Sequence, residues 1–574
     1  MHTDWTTTTD IDDSCARELG KTLGVSPVTA SLLVARGHDT PESARAFLAP
    51  TLAGLRPPQR LFGMDTAVKR LVRAITEDEV IFICGDYDAD GITSTALLVT
   101  FLQSAGARVA WHLPHRVEDG YGFHASQVTE HAVPAQARVI VTVDCGSTSF
   151  DAVNTAKACG IDVIITDHHT TGKTLPDALA IINPKQPACE SAMENLAGVG
   201  VAFYLAAALR AALRGIGHWK KGGEPNLKAL CDIVALGTVA DIVPLTAENR
   251  ILTRAGLEEI NRNTRPGIAS LLTAAKANKE TVDSEDIAFR LAPRINAAGR
   301  MDHAQIGLDL MLAPSKAKAA PIATELCRLN SHRQETEARI FDEIVTYIEE
   351  SPAMLERKAL VLARNGWHPG VLGIVASRVV REYGKPAFVI SVDERGIAKG
   401  SGRSIPGVDI YKALSATADT LERFGGHRQA AGLQLRADRI VDFHRELESH
   451  LTETTTREDY MTAIPADARL PLSEISPALI DELETLAPFG EGNREPLFIA
   501  EDIQVLSSTE VGRGHRRYIL AAKGNPHLAK CMAIRFNHPG GPPEKRIARC
   551  LFSLRWNRWN GGKSPQIQIH AMET

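Results

Sequence analysis

The stretch GDYDADG, residues 85–91, sets Asp86, Asp88 and Asp90 at every second position directly behind the apolar run VIFIC. Like charges this close repel, so the carboxyls are driven towards protonation unless a cation offsets them. Other groups suited to the same chemistry stand further along: Asp144 follows VIVTV, the triplet DHH occupies 167–169 after VIIT, and Asp241 lies between apolar runs in DIVALGTVADIVPL. Carboxylates and imidazole are donors that Mn²⁺ and Mg²⁺ accept, and no thiol belongs to the set. Asp86, Asp88, Asp90, Asp144 and Asp241 with His168 suffice for two divalent ions. A pair of such ions about 3.5–4 Å apart activates a water and stabilises the leaving oxygen of a phosphoryl transfer. Taken singly, each Asp reads as an N-cap or a solvated loop residue; three separate strand-end sites point to a metal.

For these groups to meet, the chain must bring strand ends together. Residues 79–184 alternate β-branched runs with helical stretches, the pattern of βαβ units and a parallel sheet. Strands are predicted at 80–84, 108–113, 139–143, 163–166 and 180–183, and helices at 93–104 and 151–160. In open parallel sheets sites form outside the carboxyl ends of the strands, which is where the acids fall. Residues 321–350 lack internal Gly or Pro and repeat Ile340, Ile344 and Ile348, predicting a long helix that joins two domains. A second α/β segment follows, with strand-like runs at 359–363, 387–391 and 396–405 around a helix at 371–384. The remainder alternates short strands with turn residues and suits a small β-barrel. The N-terminal 55 residues carry a helical pattern, CARELGKTLGVSPVTASLLVARG, and little else.

At 574 residues the chain is long enough for three or four domains, and its 44 % hydrophobic and 23 % charged content is that of a globular protein. The polar, acidic N-terminus has no signal-peptide core, and no run of about 18 apolar residues stands out, so a cytoplasmic protein without membrane contact is expected. Nine scattered cysteines with no CxxC pair fit reduced thiols. The net charge of -5 hides an asymmetry: residues 511–574 hold twelve Lys and Arg against two acids. Phe536, Trp556 and Trp559 alternate with that charge, either as a platform that tracks phosphates and stacks bases or with the tryptophans in the barrel core and only the charge facing DNA.

In order, GDYDADG, VDCG, TDHH and GTVADIVPL resemble the four motifs of the DHH phosphoesterase superfamily. Within it, PHRVEDGYG (114–122), LAGVGVAF (196–203), PRINAAGRM (293–301), WHPGVLGIVASR (367–378), GSGRS (400–404) and GGHRQAAG (425–432) resemble the RecJ family of bacterial exonucleases, a likeness running from about residue 55 to the end. After Asp144 the chain departs from the family pattern, with CGSTSF in place of the usual continuation.

The resemblance implies a multidomain α/β architecture: an N-terminal helical segment (1–55), a parallel-sheet DHH catalytic domain (56–315), a connecting helix (316–352), a smaller DHH-associated substrate-binding domain (353–455) and an OB-like nucleic-acid-binding barrel (456–574). It implies a 5′-to-3′ exonuclease on single-stranded DNA that releases mononucleotides in recombination and repair, using two divalent ions, Mn²⁺ or Mg²⁺. Asp86, Asp88, Asp90, Asp144, His168 and Asp241 become metal ligands, Asp144 as a bridge. His169 faces the scissile phosphate, and Asp167 orients the imidazoles. Ser401, Arg403 and Ser404, read as a Gly-rich turn, grip the 5′-phosphate with Arg116 and either Arg294 or Arg300. Gly425, Gly426 and His427 meet substrate phosphate, and Trp556 stacks on a base; Tyr121 either stacks or packs in the core. The implied partners are single-stranded DNA with a 5′-phosphate and a helicase or single-strand-binding protein, the chain itself acting as a monomer. Two rivals remain: a phosphodiesterase for short oligonucleotides or cyclic dinucleotides, which needs no basic barrel, and a non-catalytic DNA-binding scaffold, which needs no complete ligand set.

Overall fold

The computed structural model describes residues 5–7, 13–116, 118–219, 223–262, 265–277, 281–461, 464–512, 514–522, 530–537, 545–558 and 562–573; the predicted Trp559 lies outside them. Two compact units divide the chain, one of Arg56–Val243 with Ala255–Thr462, the other of Met1–Leu55, Pro244–Arg254 and Ala463–Thr574.

In the first unit the β-branched runs form a parallel sheet of β1 (Val80–Gly85), β2 (Arg108–His112), β3 (Ala137–Val143), β4 (Asp162–Thr166) and β5 (Ala180–Ile182), ordered β2-β1-β3-β4-β5. All six residues of β1 are buried, and burial on both faces is why it reads as one apolar run instead of an alternation. Helix α1 (Ala89–Ser104) begins four residues before the expected start at 93. The Asp88 carboxylate accepts from the amides of Asp90 (2.9 Å) and Gly91 (3.1 Å), an N-cap that places the aspartates on a helix start.

Three more helices matter to the sheet: α2 (Phe150–Ala158), α3 (Gly198–Gly215) and α4 (Cys231–Ala240). Among the described residues α3 is the one helix long and apolar enough to cross a bilayer. Its apolar window is 67 % buried within the protein, so it is a core helix, packed on α1 and α4.

Helices α5 (Ala292–Met301) and α6 (Lys316–Glu350) follow. Ile340, Ile344 and Ile348 of α6 pack with Leu360, Leu362, Trp367 and Val375, which carries the helix onto a second sheet. That sheet holds β6 (Leu360–Asn365), β7 (Ala387–Val392), β8 (Ile397–Arg403), β9 (Arg423–His427) and β10 (Ala430–Arg436), ordered β9-β10-β8-β7-β6 with only β6 and β7 parallel. Helix α7 (Leu372–Tyr383) packs on β7 and β8. Gly400 to Arg403 belong to strand β8, as the strand-like run at 396–405 predicts, and the Gly-rich turn read into 400–404 is corrected. Gly402 is there for space, since a Cβ would stand 2.6 Å from the Phe388 ring.

In the second unit β11 (Phe498–Val511), β12 (His515–Ala522), β13 (Cys531–Arg535), β14 (Arg546–Asn557) and β15 (Ser564–Glu573) run β11-β12-β13-β15-β14 and close through β11 and β14 into a five-stranded barrel. The N-terminal pattern resolves into helices Asp13–Leu23, Pro27–Ala35 and Pro41–Leu48, with Ser26 capping the second. Leu19, Leu32, Leu33 and Phe47 share one core with Ile480, Phe498 and Phe552 of the barrel region. Arg250 pins it: buried to 2 %, it donates to the carbonyls of Phe47 (3.0 Å), Leu486 (2.8 Å) and Ala487 (2.9 Å), its guanidinium 3.8 Å from the Phe47 ring.

Candidate active site

The strand order reverses between β1 and β3, where open α/β sheets leave a crevice. Asp86 leaves β1 and Asp144 leaves β3, each only 2 % exposed. Asp90, in the first turn of α1, is held by the start of α3: Gly198 N–H donates to its Oδ2 at 2.7 Å and Val199 N–H to its Oδ1 at 2.9 Å. A helix N-terminus favours a carboxylate, and this one fixes Asp90. Asp241 comes from the far end of α4. Gly198 also makes room, because a Cβ there would lie 2.6 Å from Asp144 Oδ1.

The DHH triplet follows β4. Asp167 is engaged on both oxygens: its Oδ1 accepts from the His168 amide (2.7 Å), the His169 amide (3.0 Å) and His169 Nδ1 (2.8 Å), and its Oδ2 from the Ser147 amide (3.0 Å). These bonds fit it to orient its neighbours. His168, 5 % exposed, turns Nε2 to Asp144 Oδ1 (3.1 Å), Asp241 Oδ2 (3.5 Å) and Asp90 Oδ2 (3.9 Å). Donor atoms of Asp86, Asp88 and Asp144, of Asp90, His168 and Asp241, and of Asp144, His168 and His169 lie within 4.8 Å of one another in each group.

Electrostatics marks the same spot. Burial, then Asp88, pushes the Asp86 carboxyl well up, and burial with Asp90 does the same to Asp144 and Asp241. Asp90 is pushed to about 7 by burial and Asp88. Asp144 Oδ1, Asp86 Oδ1 and His168 Nε2 are buried without a hydrogen-bond partner. Oxygen donors and one imidazole nitrogen, crowded and unsatisfied, fit a hard divalent cation.

The paired histidines diverge. Burial, then the neighbouring His169 charge, lowers His168 to about 3. For His169 burial acts downwards, but the hydrogen bond and charge of Asp167 outweigh it and raise the ring to about 9. Asp167 itself is driven up by burial, yet its bond to His169 and the two imidazole charges hold it below the usual carboxylate range. Tyr121, half-exposed, brings its hydroxyl to 3.0 Å from His169 Nδ1, so it is a site residue rather than a core tyrosine.

Arginines gather beside the acids. Arg116 lies 4.7 Å over the Tyr87 ring. Arg300 donates to the Gly370 carbonyl (3.2 Å), and burial with the charges of Arg116, Arg333 and Arg403 lowers it to about 9. Arg403 donates to Ser401 Oγ (3.1 Å) and the Gly402 carbonyl (2.8 Å), and burial with Arg116 lowers it too. Among the described ion pairs none joins Arg116, Arg300 or Arg403 to a carboxylate, although Asp86 feels the charge of Arg116 and Arg300 that of Asp88. Arg294 is engaged elsewhere, on Cys327 Sγ (3.3 Å) and the Arg290 carbonyl (2.5 Å). Ser404 spends its hydroxyl on the Val408 carbonyl (2.8 Å).

Gly425 and Gly426 lie on β9 with His427, which burial and the charges of Arg403, His169 and Lys185 push down. Trp556 donates Nε1–H to Asp481 (2.9 Å), with Lys563 4.3 Å over its ring, so one face is covered. Phe536, 45 % exposed, is an open aromatic among the described residues of the barrel. Sequence reasoning missed Lys185, just after β5, whose charge acts on His168, Asp241 and His427. It missed Gly373 as well, where a Cβ would meet Arg403 Nη2 at 2.8 Å. Cys145, the departure after Asp144, is buried and donates weakly to the Cys84 carbonyl (3.9 Å).

Comparison with known proteins places this geometry. The DHH family N-terminal domain matches residues 80–238, the DHHA1 domain 356–453 and the RecJ OB domain 466–571. The chain is 37 % identical to the single-stranded-DNA-specific exonuclease RecJ of Bacillus subtilis over 97 % of this chain and 69 % of that protein. It is 37 % identical to that of Escherichia coli over 95 % of each. A crystal structure of RecJ with Mn²⁺ from Thermus thermophilus superposes with a TM-score of 0.84 at 31 % identity, covering 100 % of this chain and 79 % of that one. A structure with Mg²⁺ from the same organism gives 0.78 at 29 % identity over 100 % and 78 %.

Proposed function

The chain belongs to the RecJ family of single-stranded-DNA-specific exonucleases, and from that premise we propose that it degrades single-stranded DNA from the 5′ end, releasing 5′-mononucleotides. It is a metal-dependent exonuclease acting on single-stranded DNA. The observation that carries the polarity is the cluster of partly buried Arg116, Arg300 and Arg403 beside the carboxylates, none of them in a described ion pair. Such cations accept a dianionic terminal phosphate, and Arg forks suit its oxygens.

Asp86, Asp88, Asp90, Asp144, His168 and Asp241 would hold two divalent ions, with Asp144, which belongs to two of the donor groups, between them. When bound, such ions supply Lewis acidity to the attacking water and the leaving oxygen. The chain's own residues do the rest. Arg403, steadied on Ser401, and Arg300 grip the 5′-phosphate, which sets the next phosphate over the carboxylates. Protonated His169, oriented by Asp167, keeps Nε2–H to donate to an oxygen of that phosphate. His427 and Lys185 meet the same strand, and the barrel, through Phe536 and its basic residues, adds affinity for single-stranded DNA.

The role would be in DNA recombination and repair, as a cytoplasmic monomer taking strands exposed by a helicase or held by a single-strand-binding protein. Neither rival is favoured: the complete ligand set speaks against a scaffold, and the OB domain against a dinucleotide enzyme. The test is digestion of single strands labelled at either end, with 5′-phosphate or 5′-hydroxyl, in Mn²⁺, Mg²⁺ or chelator. Release of mononucleotides from the 5′ end, faster with phosphate, is expected; release from the 3′ end would refute the polarity.

A further inference from the structure

Ile242 follows the ligand candidate Asp241 off the end of α4 and takes a φ of +60°, its amide donating to the Val239 carbonyl at 3.3 Å. This is the position after a helix where glycine turns the chain without strain. For a β-branched residue the same backbone is a genuine outlier. Burial does not account for the choice, because the side chain is 72 % exposed. Conformation and packing both favour glycine, and an isoleucine stands there. Strained residues persist at sites that use them, and Asp241 Oδ2 beside it lies 3.5 Å from His168 Nε2 in the carboxylate cluster.

We propose that Ile242 is an apolar rest for the base face of the nucleotide at the metal centre, and so a contact that selects unpaired strands. The inference rests on the exonuclease reading. Next to its phosphate, an unpaired nucleotide offers apolar faces, which in a duplex are covered by stacking. An exposed aliphatic side chain that follows a metal-ligand candidate in the chain gains from such a face by shedding water.

Ile242→Gly and Ile242→Val test it, each with thermal melting, steady-state kinetics on 5′-phosphorylated single strands, and DNA binding in an Asp144→Asn background. In Ile242→Gly the melting midpoint rises as the strain goes, KM and Kd rise about tenfold, and kcat holds, the signature of lost uniform binding. Ile242→Val keeps the wild-type KM within about twofold, since most of the apolar contact remains. An unchanged KM in Ile242→Gly overturns the proposal, and a lower melting midpoint does so too, by making Ile242 a packing residue. Wild-type protein run first in the same assay separates the two readings: if it digests no single strand, the exonuclease reading fails before Ile242 is tested.

Discussion

Asp167 Oδ1 accepts from His169 Nδ1 at 2.8 Å and helps raise that ring to about 9, while burial and the His169 charge lower the adjacent His168 to about 3. A ligand must be neutral and a donor to phosphate must keep its proton, so the triplet supplies both from neighbouring residues. A raised histidine is charged below its folded value and loses its proton as pH climbs through it. The step in kcat/KM that needs protonated His169 therefore falls as pH rises through about 9. In Asp167→Asn the fall moves to lower pH and activity drops roughly 10–100-fold. A pH–rate profile with an unmoved alkaline limb would contradict this.

The crowded carboxyls give a second prediction of the same sign at lower pH. Asp90 titrates at about 7 when folded, far above its unfolded value, so the folded metal-free protein holds a proton that the unfolded chain has released. Its ionisation costs stability progressively from about pH 4 to about pH 7. Urea unfolding in chelator should show wild type losing ground to Asp90→Asn across that window, with Mn²⁺ restoring it. Calorimetry of Mn²⁺ binding near neutral pH should register proton release in buffers of different ionisation enthalpy.

Gly198→Ala puts a methyl carbon 2.6 Å from Asp144 Oδ1, at the helix start that fixes Asp90. Displacing a ligand by about 1 Å costs on the order of 10²-fold in turnover. We expect that loss together with weaker Mn²⁺ binding, and circular dichroism close to wild type.

Gly373→Ala crowds a flexible guanidinium end, Arg403 Nη2 at 2.8 Å, rather than backbone. The fold survives and the phosphate grip suffers. Discrimination between 5′-phosphate and 5′-hydroxyl strands should fall about tenfold, roughly one charge-assisted hydrogen bond, while the melting temperature hardly moves. Unchanged discrimination would remove Arg403 from the pocket.

On the barrel, Phe536→Ala should weaken single-strand affinity by about 1–3 kcal/mol, the loss of one stacked base, without changing single-turnover cleavage. Trp556→Ala should lower stability instead, since its N–H is bonded to Asp481 and it packs on the barrel core. Equilibrium binding beside melting curves separates the two.

The metal donors were legible because their types and their places after strands are local properties: Asp86, Asp144 and DHH each end an apolar run. Their convergence followed from the parallel sheet. Helix geometry also separates Arg294 from Arg300, since six residues at about 100° each turn them some 120° apart on α5. Gly373, Lys185 and the hydroxyl of Tyr121 were hidden, because each acts through a residue remote in sequence. The turn read into GSGRS failed for a tertiary reason: its glycines clear the side chains packed against β8, among them Phe388 under Gly402.

The N-terminal helices complete the core of a barrel whose strands begin at Phe498, with Arg250 stitched between them. During synthesis the first helices leave the ribosome tens of seconds before the partners that cover them, at roughly 5–20 residues per second. Leu32, Leu33 and Phe47 wait uncovered while the catalytic sheet is made, an opening for chaperone holding or early proteolysis. A stop codon that spares every metal ligand but removes the barrel strands would therefore leave the N-terminal helices permanently uncovered.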